Sequence, residues 1–255
     1  MINLKTKIKN NKITLGTWQT IPSNSVSDIL SSLGLDWVAV DIEHTSIDLN
    51  NLDNLLNSIN RNNVTPLVRV GEINSNLIKR ILDIGYQGVI VPNIENKDQA
   101  LSVIDSVHYP PLGKRGMGLY RAQKFGDDLN SYISNSKKNN IIILQIENII
   151  TLKNLDELFS IKNIDGFFIG PYDLSASMGI PGQFDHKDYK NCLNFILKKA
   201  KKYKKPLGIH SVSSSLDDVN KYIKMGFKII GYCMDTIAIK ESYSKNISKI
   251  IKKYN

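Results

Sequence analysis

Short apolar runs alternate with stretches of helical period from one end of this chain to the other. Eight runs are rich in β-branched and aromatic residues: Ile13–Trp18, Trp37–Asp41, Pro66–Val70, Gly88–Val91, Ile141–Ile146, Gly166–Ile169, Pro206–His210 and Ile229–Cys233. Several are nearly continuous in apolar character, as expected of parallel strands covered on both faces. Between them apolar residues recur at helical spacing over Ser25–Leu33, Leu49–Asn60, Ser75–Ile84, Asp98–Val107, Leu152–Ile161, Asp188–Tyr203 and Ser215–Met225, with a last stretch from Ala238 to Tyr254. Eight strands alternating with eight helices predict an α/β chain folded as one (β/α)8 TIM barrel over residues 1–255. A doubly wound open sheet is the competing arrangement, but no Gly-rich phosphate loop follows the first run. Gly34, Gly85 and Gly226 sit where helical stretches end, as αL caps do.

Composition narrows the class. A chain of 255 residues with 42% hydrophobic content suits one barrel, and no Pro-, Ser- or Gly-rich tract marks a linker. The basic start MINLKTKIKNNK lacks the apolar core of a secretory signal, and no run is long enough to span a membrane. Cys192 and Cys233 lie far apart in apolar surroundings, so a cytoplasmic protein with two buried thiols is expected. The formal charge of +9 raises nucleic acid as a partner. The lysines of residues 198–205 and 245–253, however, alternate with Ile, Leu and Tyr at helical spacing, as on a solvated face. No nucleic-acid motif accompanies them, so neither nucleic acid nor membrane is expected as a partner.

The candidate chemistry centres on residues 141–177. Glu147 follows the run Ile141–Ile146, Asp173 follows Gly166–Ile169, and the helical pattern between makes a βαβ unit. Both strands of such a unit end on the same side, so the two carboxylates emerge together. Converging carboxylates can hold a hard divalent cation and leave positions for water and substrate oxygens. A helix-start Asp and a salt-bridged Glu would leave the same trace; Gln145 and the Gly170-Pro171 turn favour a site. At the other expected strand ends stand Trp18 and Gln19, then Asp41, Glu43 and His44, then Arg69, Pro92 and Asn93, His210 and Ser211, and Met234 and Asp235. Active sites of these barrels lie at that end. Arg69 and Gln145 adjoin apolar strands, where an unpaired charge is costly. Arg115 and Arg121 read either as solvated loop cations or as ligands of an acidic or phosphorylated acceptor. No expected strand ends in lysine, which disfavours a Schiff-base mechanism.

These residues carry a resemblance. LGTW (Leu15–Trp18), LGLDWVAVDIEH (Leu33–His44), PLVRV (Pro66–Val70), LDIGYQGVIVPNIEN (Leu82–Asn96), YPPLGKRGMG (Tyr109–Gly118), LQIEN (Leu144–Asn148) and DGFFIGPYDLSASMGIPG (Asp165–Gly182) occur in family order across most of the chain. Together they resemble the metal-dependent class II pyruvate aldolases of the 4-hydroxy-2-oxoheptanedioate aldolase type, related to the β-subunit of citrate lyase. The resemblance implies that Glu147 and Asp173 ligate magnesium, manganese or cobalt. It implies acid–base work for His44 supported by Asp41, and contact of Arg69 with the keto or enolate oxygen. Gln145, Gly170, Pro171, Tyr172 and Trp18 would bind substrate. The implied reaction is reversible cleavage of a 4-hydroxy-2-oxo acid, of sugar type or otherwise, to pyruvate and an aldehyde through a metal-stabilised enolate. The implied assembly is a homohexamer, a trimer of dimers that exchange the last helix. In that helix Ile247, Ile250, Ile251 and Tyr254 form an apolar stripe that packing on its own barrel would also explain.

Two departures bear on the acceptor half of the reaction. The seventh strand ends GIHSVSSS, with His210 where these aldolases usually carry a small apolar residue, and the eighth ends IIGYCMDT. The loop GLYRAQKFGDD, which holds Arg121, looks more like members acting on sugar-type acceptors. Competing expectations are a malyl- or citramalyl-CoA-type lyase and a non-catalytic barrel that binds 2-oxo acids.

Overall fold

The computed structural model describes residues 3–60 and 63–254. Its eight strands are β1 (Thr14–Gln19), β2 (Trp37–Asp41), β3 (Thr65–Arg69), β4 (Gly88–Val91), β5 (Ile141–Ile146), β6 (Gly166–Ile169), β7 (Leu207–Ser211) and β8 (Ile229–Met234). All pair in parallel, in chain order, and β8 returns to β1 to close a single-domain (β/α)8 barrel. The helices are α1 (Leu4–Lys9), α2 (Asn24–Ser32), α3 (Leu49–Ile59), α4 (Ser75–Ile84), α5 (Lys97–Val107), α6 (Leu129–Asn139), α7 (Ile149–Lys153), α8 (Leu155–Ser160), α9 (Pro171–Ser177), α10 (Lys187–Tyr203), α11 (Leu216–Met225) and α12 (Asp235–Tyr254).

The period of two along each strand divides the apolar residues between two cores. Val38, Val40, Val68, Val89, Val91, Ile142, Leu144, Phe167 and Ile209 point outward into the shell they share with the helices. Trp18, Trp37, Ala39, Leu67, Ile90, Ile141, Ile143, Phe168 and Ile229 fill the barrel. Trp18, Trp37 and Phe168 meet edge to face, with ring centroids 5.7–6.3 Å apart. Glycines make room for them: a Cβ at Gly16 would stand 1.9 Å from the Trp37 ring, and one at Gly208 would stand 2.3 Å from Phe168. Below this layer α1 inserts Leu4 and Ile8 into the same inner cluster and closes the N-terminal end.

The differences from the expected elements have local causes. The stretch Leu152–Ile161 divides into α7 and α8 at Asn154, whose side-chain amide donates to the Glu95 carbonyl 2.8 Å away. Helices α1, α6 and α9 and the 3-10 turn Arg121–Gly126 fall outside the expected stretches: α1 and α9 span six and seven residues, and α6 buries a single residue, Ser136. Gly34, Gly85 and Gly226 have φ of 75°, 121° and 113°, as helix-ending glycines require. Cys192 and Cys233 are free and buried. Helix α12 starts firmly, its buried Asp235 accepting the Thr20 and Ile21 amides at 2.9 Å each. Beyond that start its apolar stripe does not pack on its own barrel: Tyr243, Ile247, Ile250, Ile251 and Tyr254 are all exposed in this chain.

Candidate active site

The inward-facing rows turn polar at the C-terminal end of the barrel. In β2, Trp37 and Ala39 are followed by Asp41; in β3, Leu67 by Arg69; in β5, Ile141 and Ile143 by Gln145 and then Glu147; in β7, Gly208 by His210. Arg69, Gln145 and His210 line a cavity of about 230 Å³ together with Trp18, His44, Phe168 to Asp173, Val212 and Met234, and Asp41 and Glu147 bond to Arg69 and Gln145 from behind that lining.

Arg69 anchors the floor. It is the Cα partner of Asp41 across β2 and β3, and that register sets up a two-pronged ion pair. Arg69 Nε donates to Asp41 Oδ1 at 2.9 Å and Nη2 to Oδ2 at 2.7 Å. The guanidinium also lies 4.7 Å over the Trp18 ring. No hydrogen bond engages Nη1 among the described residues. A guanidinium held through two donors of one edge and stacked on an aromatic ring is a fixed positive charge at the cavity.

Glu147 is buried behind Gln145 and Gly170. Its Oε1 accepts the Asn93 amide at 2.6 Å, and its Oε2 accepts Gln145 Nε2 at 2.7 Å. Asn93, at φ 53°, adopts the left-handed turn in which that amide reaches the carboxylate. Burial pushes the Glu147 carboxyl up to about 7; the Asn93 amide opposes this, while Glu43 and Asp173 add to it. Asp173 comes from the first turn of α9 and has no hydrogen bond among the described residues. Glu43 is pushed up to about 7 as well, by burial first, with Arg69 opposing and Asp41 and Asp173 adding. Asp41, Glu43 and Glu147 thus act on one guanidinium, Asp173 acts on Glu43 and Glu147, and the buried Gln145 Oε1 has no partner among the described residues. Among the described residues no three His, Cys, Asp or Glu side chains cluster as a metal cage. Two carboxylates, a spare amide oxygen and a surplus of negative charge nevertheless fit an open oxygen-ligand site for a divalent ion.

The site differs from expectation in two places. His44 does not rest on Asp41, whose oxygens are taken by Arg69 and by the Glu43 amide at 3.0 Å. Its carboxylate neighbour is Glu43, with His44 Nε2 3.6 Å from Glu43 Oε2. Arg121 does not line the cavity: its guanidinium binds Asp53 and Asn57 on α3. Arg115 is neither solvated nor at the cavity; it is buried against Tyr109 and donates to Asp83 at 2.7 Å. Glu43 Oε2 also lies 3.3 Å from Arg69 Nε. Sequence reasoning passed over Glu43 as a partner of His44, the Asn93 amide, and the lining residues Phe168 and Val212. Alternation counted back from Gly170 and forward from His210 would have found the last two.

The family model described as HpcH/HpaI aldolase/citrate lyase matches residues 15–241. The 5-keto-4-deoxy-D-glucarate aldolase of Salmonella paratyphi A is 31% identical over 242 residues, covering 94% of this chain and 93% of that one. A crystal structure of an HpcH/HpaI aldolase/citrate lyase family protein from Burkholderia cenocepacia J2315 matches at a TM-score of 0.92 and 25% identity, covering 98% of this chain and 99% of that one. The citrate lyase β-subunit of M. tuberculosis, solved with oxaloacetate and magnesium, shares the fold at a TM-score of 0.58 and 14% identity, covering 89% of this chain and 93% of that one. This chain belongs to the HpcH/HpaI aldolase/citrate lyase family, and it is an enzyme of that family, a lyase.

Proposed function

We propose that this enzyme is a divalent-metal-dependent aldolase that interconverts a 4-hydroxy-2-oxo acid with pyruvate and an aldehyde. The observation that carries the reading is the meeting of Glu147, Asp173 and the locked Arg69 at one barrel mouth. Glu147 and Asp173 would hold the ion, magnesium or manganese by their hard oxygen donors. When bound, such an ion neutralises charge that develops on the keto oxygen of a 2-oxo acid. Magnesium and oxaloacetate together in the related citrate lyase β-subunit support that assignment.

The chain's own residues supply the rest. Arg69 Nη1 offers a positively charged donor that strengthens as the enolate oxygen gains charge. Trp18, Phe168 and Gln145 wall the cavity and limit water. His44, at the rim beside Glu43, would carry the proton transfer. In the condensing direction a methyl proton leaves pyruvate C3 for this pair. C3 then bonds the aldehyde carbon, and the aldehyde oxygen takes a proton from the same pair. Cleavage reverses these steps, and no net proton is gained or lost.

The test is pyruvate release from a 4-hydroxy-2-oxo acid, followed by coupled reduction of pyruvate. Protein stripped by a chelator should be inactive and should recover with manganese; full activity after stripping refutes the reading. The uncovered stripe of α12 supports a homo-oligomer, since exposed apolar patches of this kind mark interfaces. Sedimentation should find a multimer that Ile247→Glu with Ile251→Glu dissociates, and a monomeric wild type would contradict this.

A further inference from the structure

His210 lines the same cavity, yet the proton-transfer reading gives it no task. Its Nε2 lies 2.9 Å from the Cys233 carbonyl oxygen. A carbonyl only accepts, so Nε2 carries the hydrogen and Nδ1 presents a lone pair. The carbonyl is aimed there by a register shift between β1 and β8, where Cys233 takes a φ of 51°. Burial first, with Arg69 adding, holds the imidazole pKa down to about 4, so the ring is neutral at physiological pH. Nδ1 has no hydrogen bond among the described residues, and it is not sealed from solvent as the partnerless buried atoms are. It therefore opens to the cavity.

The surroundings of Nδ1 define what it meets. Trp18 packs 5.6 Å from the imidazole, and Phe168, Val212 and Met234 supply apolar wall. Arg69 is the only lysine or arginine among the described lining residues, and Asp41 already takes two of its donors, Nε and Nη2. Asp173 lines the cavity, and Glu43 and Glu147 stand close enough to act on it and on each other. A carboxylate on the acceptor would find no spare cation here. An acceptor with no polar group would leave Nδ1 unpaired once water is expelled, which is costly.

We propose that His210 Nδ1 accepts a hydrogen bond from a hydroxyl of the aldehyde, so that the enzyme selects an uncharged hydroxyaldehyde over a plain or a carboxylate-bearing one. The proposal rests on the aldolase reading and narrows its substrate class. It concerns binding only; the bond-making steps are those given above.

The experiment uses the full chain loaded with manganese, with pyruvate and one of three aldehydes: glycolaldehyde, acetaldehyde or glyoxylate. Exchange of the pyruvate methyl protons with deuterium oxide is followed separately by NMR. The wild type should favour glycolaldehyde over both others in kcat/KM by about tenfold, the scale of one buried hydrogen bond. In His210→Leu the glycolaldehyde-to-acetaldehyde ratio should fall about tenfold, and His210→Asn, which keeps an acceptor, should retain part of it. General damage to the site lowers the rate with every aldehyde alike, whereas loss of the hydroxyl contact lowers the glycolaldehyde rate alone. An unchanged ratio in His210→Leu overturns the proposal. So does a wild type that uses acetaldehyde or glyoxylate as well as glycolaldehyde, whatever the fate of the leucine variant. Exchange without hydroxyl discrimination overturns this proposal alone; absence of exchange in the wild type brings down the aldolase reading and the proposal with it.

Discussion

A single methyl group added at Gly170 should disable the site while leaving the barrel intact. Gly170 links β6 to α9 at φ −89° and ψ 96°, a conformation open to alanine, so backbone strain is not at issue. The obstacle is space. A Cβ there would stand 2.8 Å from Glu147 Oε2, 3.1 Å from Glu147 Cβ and 3.4 Å from Gln145 Nε2. Relief requires a displacement of about 0.7 Å, given ordinary contact distances near 3.5 Å. Glu147 has little freedom to retreat, because its oxygens are held by the Asn93 amide at 2.6 Å and by Gln145 at 2.7 Å. The methyl group therefore moves the carboxylate and Gln145 together. Misplacing reacting groups by about 1 Å costs about 10²-fold, so Gly170→Ala should lose about tenfold to a hundredfold in kcat/KM. Overpacking should cost about 1–3 kcal/mol of stability, too little to unfold a barrel of this size. The assay pairs pyruvate release with calorimetric titration of manganese, which should bind more weakly in step. A variant with wild-type turnover and wild-type manganese affinity would refute the reasoning, because Glu147 would then not act through its present position.

Two further predictions concern charge. Arg69→Lys removes the two-pronged contact with Asp41 and the flat stacking on Trp18, so kcat should fall about 10²–10³-fold, as for loss of one fixed donor at a developing oxyanion; a change below about threefold would count against the role given to Arg69. Glu43 and Glu147 are both raised from 4.5 to about 7 in the fold, so the folded chain holds protons that the unfolded chain has released. Their contribution to stability is therefore complete below about pH 4.5 and is lost as pH rises through about 7. A divalent ion requires the charged carboxylates, so the rise in Tm on adding manganese should grow from pH 5.5 to pH 8. An equal rise at both pH values, measured by differential scanning fluorimetry, would contradict this.

The fold was legible because the strands are apolar on both faces: Trp37–Asp41 and Ile141–Ile146 keep their expected limits. Short or weakly buried helices were harder to read; α1 spans six residues, and α6, although Leu129, Tyr132 and Ile133 share a face, buries only Ser136. Glu147, Asp173, Arg69 and Gln145 could be found as polar residues closing apolar runs, a local signal. The partner of His44 could not, because it depends on the β2–β3 register that sets Arg69 opposite Asp41 and brings Glu43 Oε2 within reach of both the imidazole and Arg69 Nε. Arg121 was misplaced for a similar reason: the turn at Arg121–Gly126 folds back onto α3 through contacts with Asp53 and Asn57 that sequence spacing does not encode.

The central claim is that Glu147 and Asp173 share one divalent ion beside Arg69. Crystals grown with manganese and pyruvate, and measured for anomalous scattering, test it most directly. The account predicts one strong peak between the two carboxylates, with the 2-oxo acid in contact with that ion and facing Arg69. Pyruvate bound at the barrel mouth with no peak there, or a peak held by other residues, would contradict it.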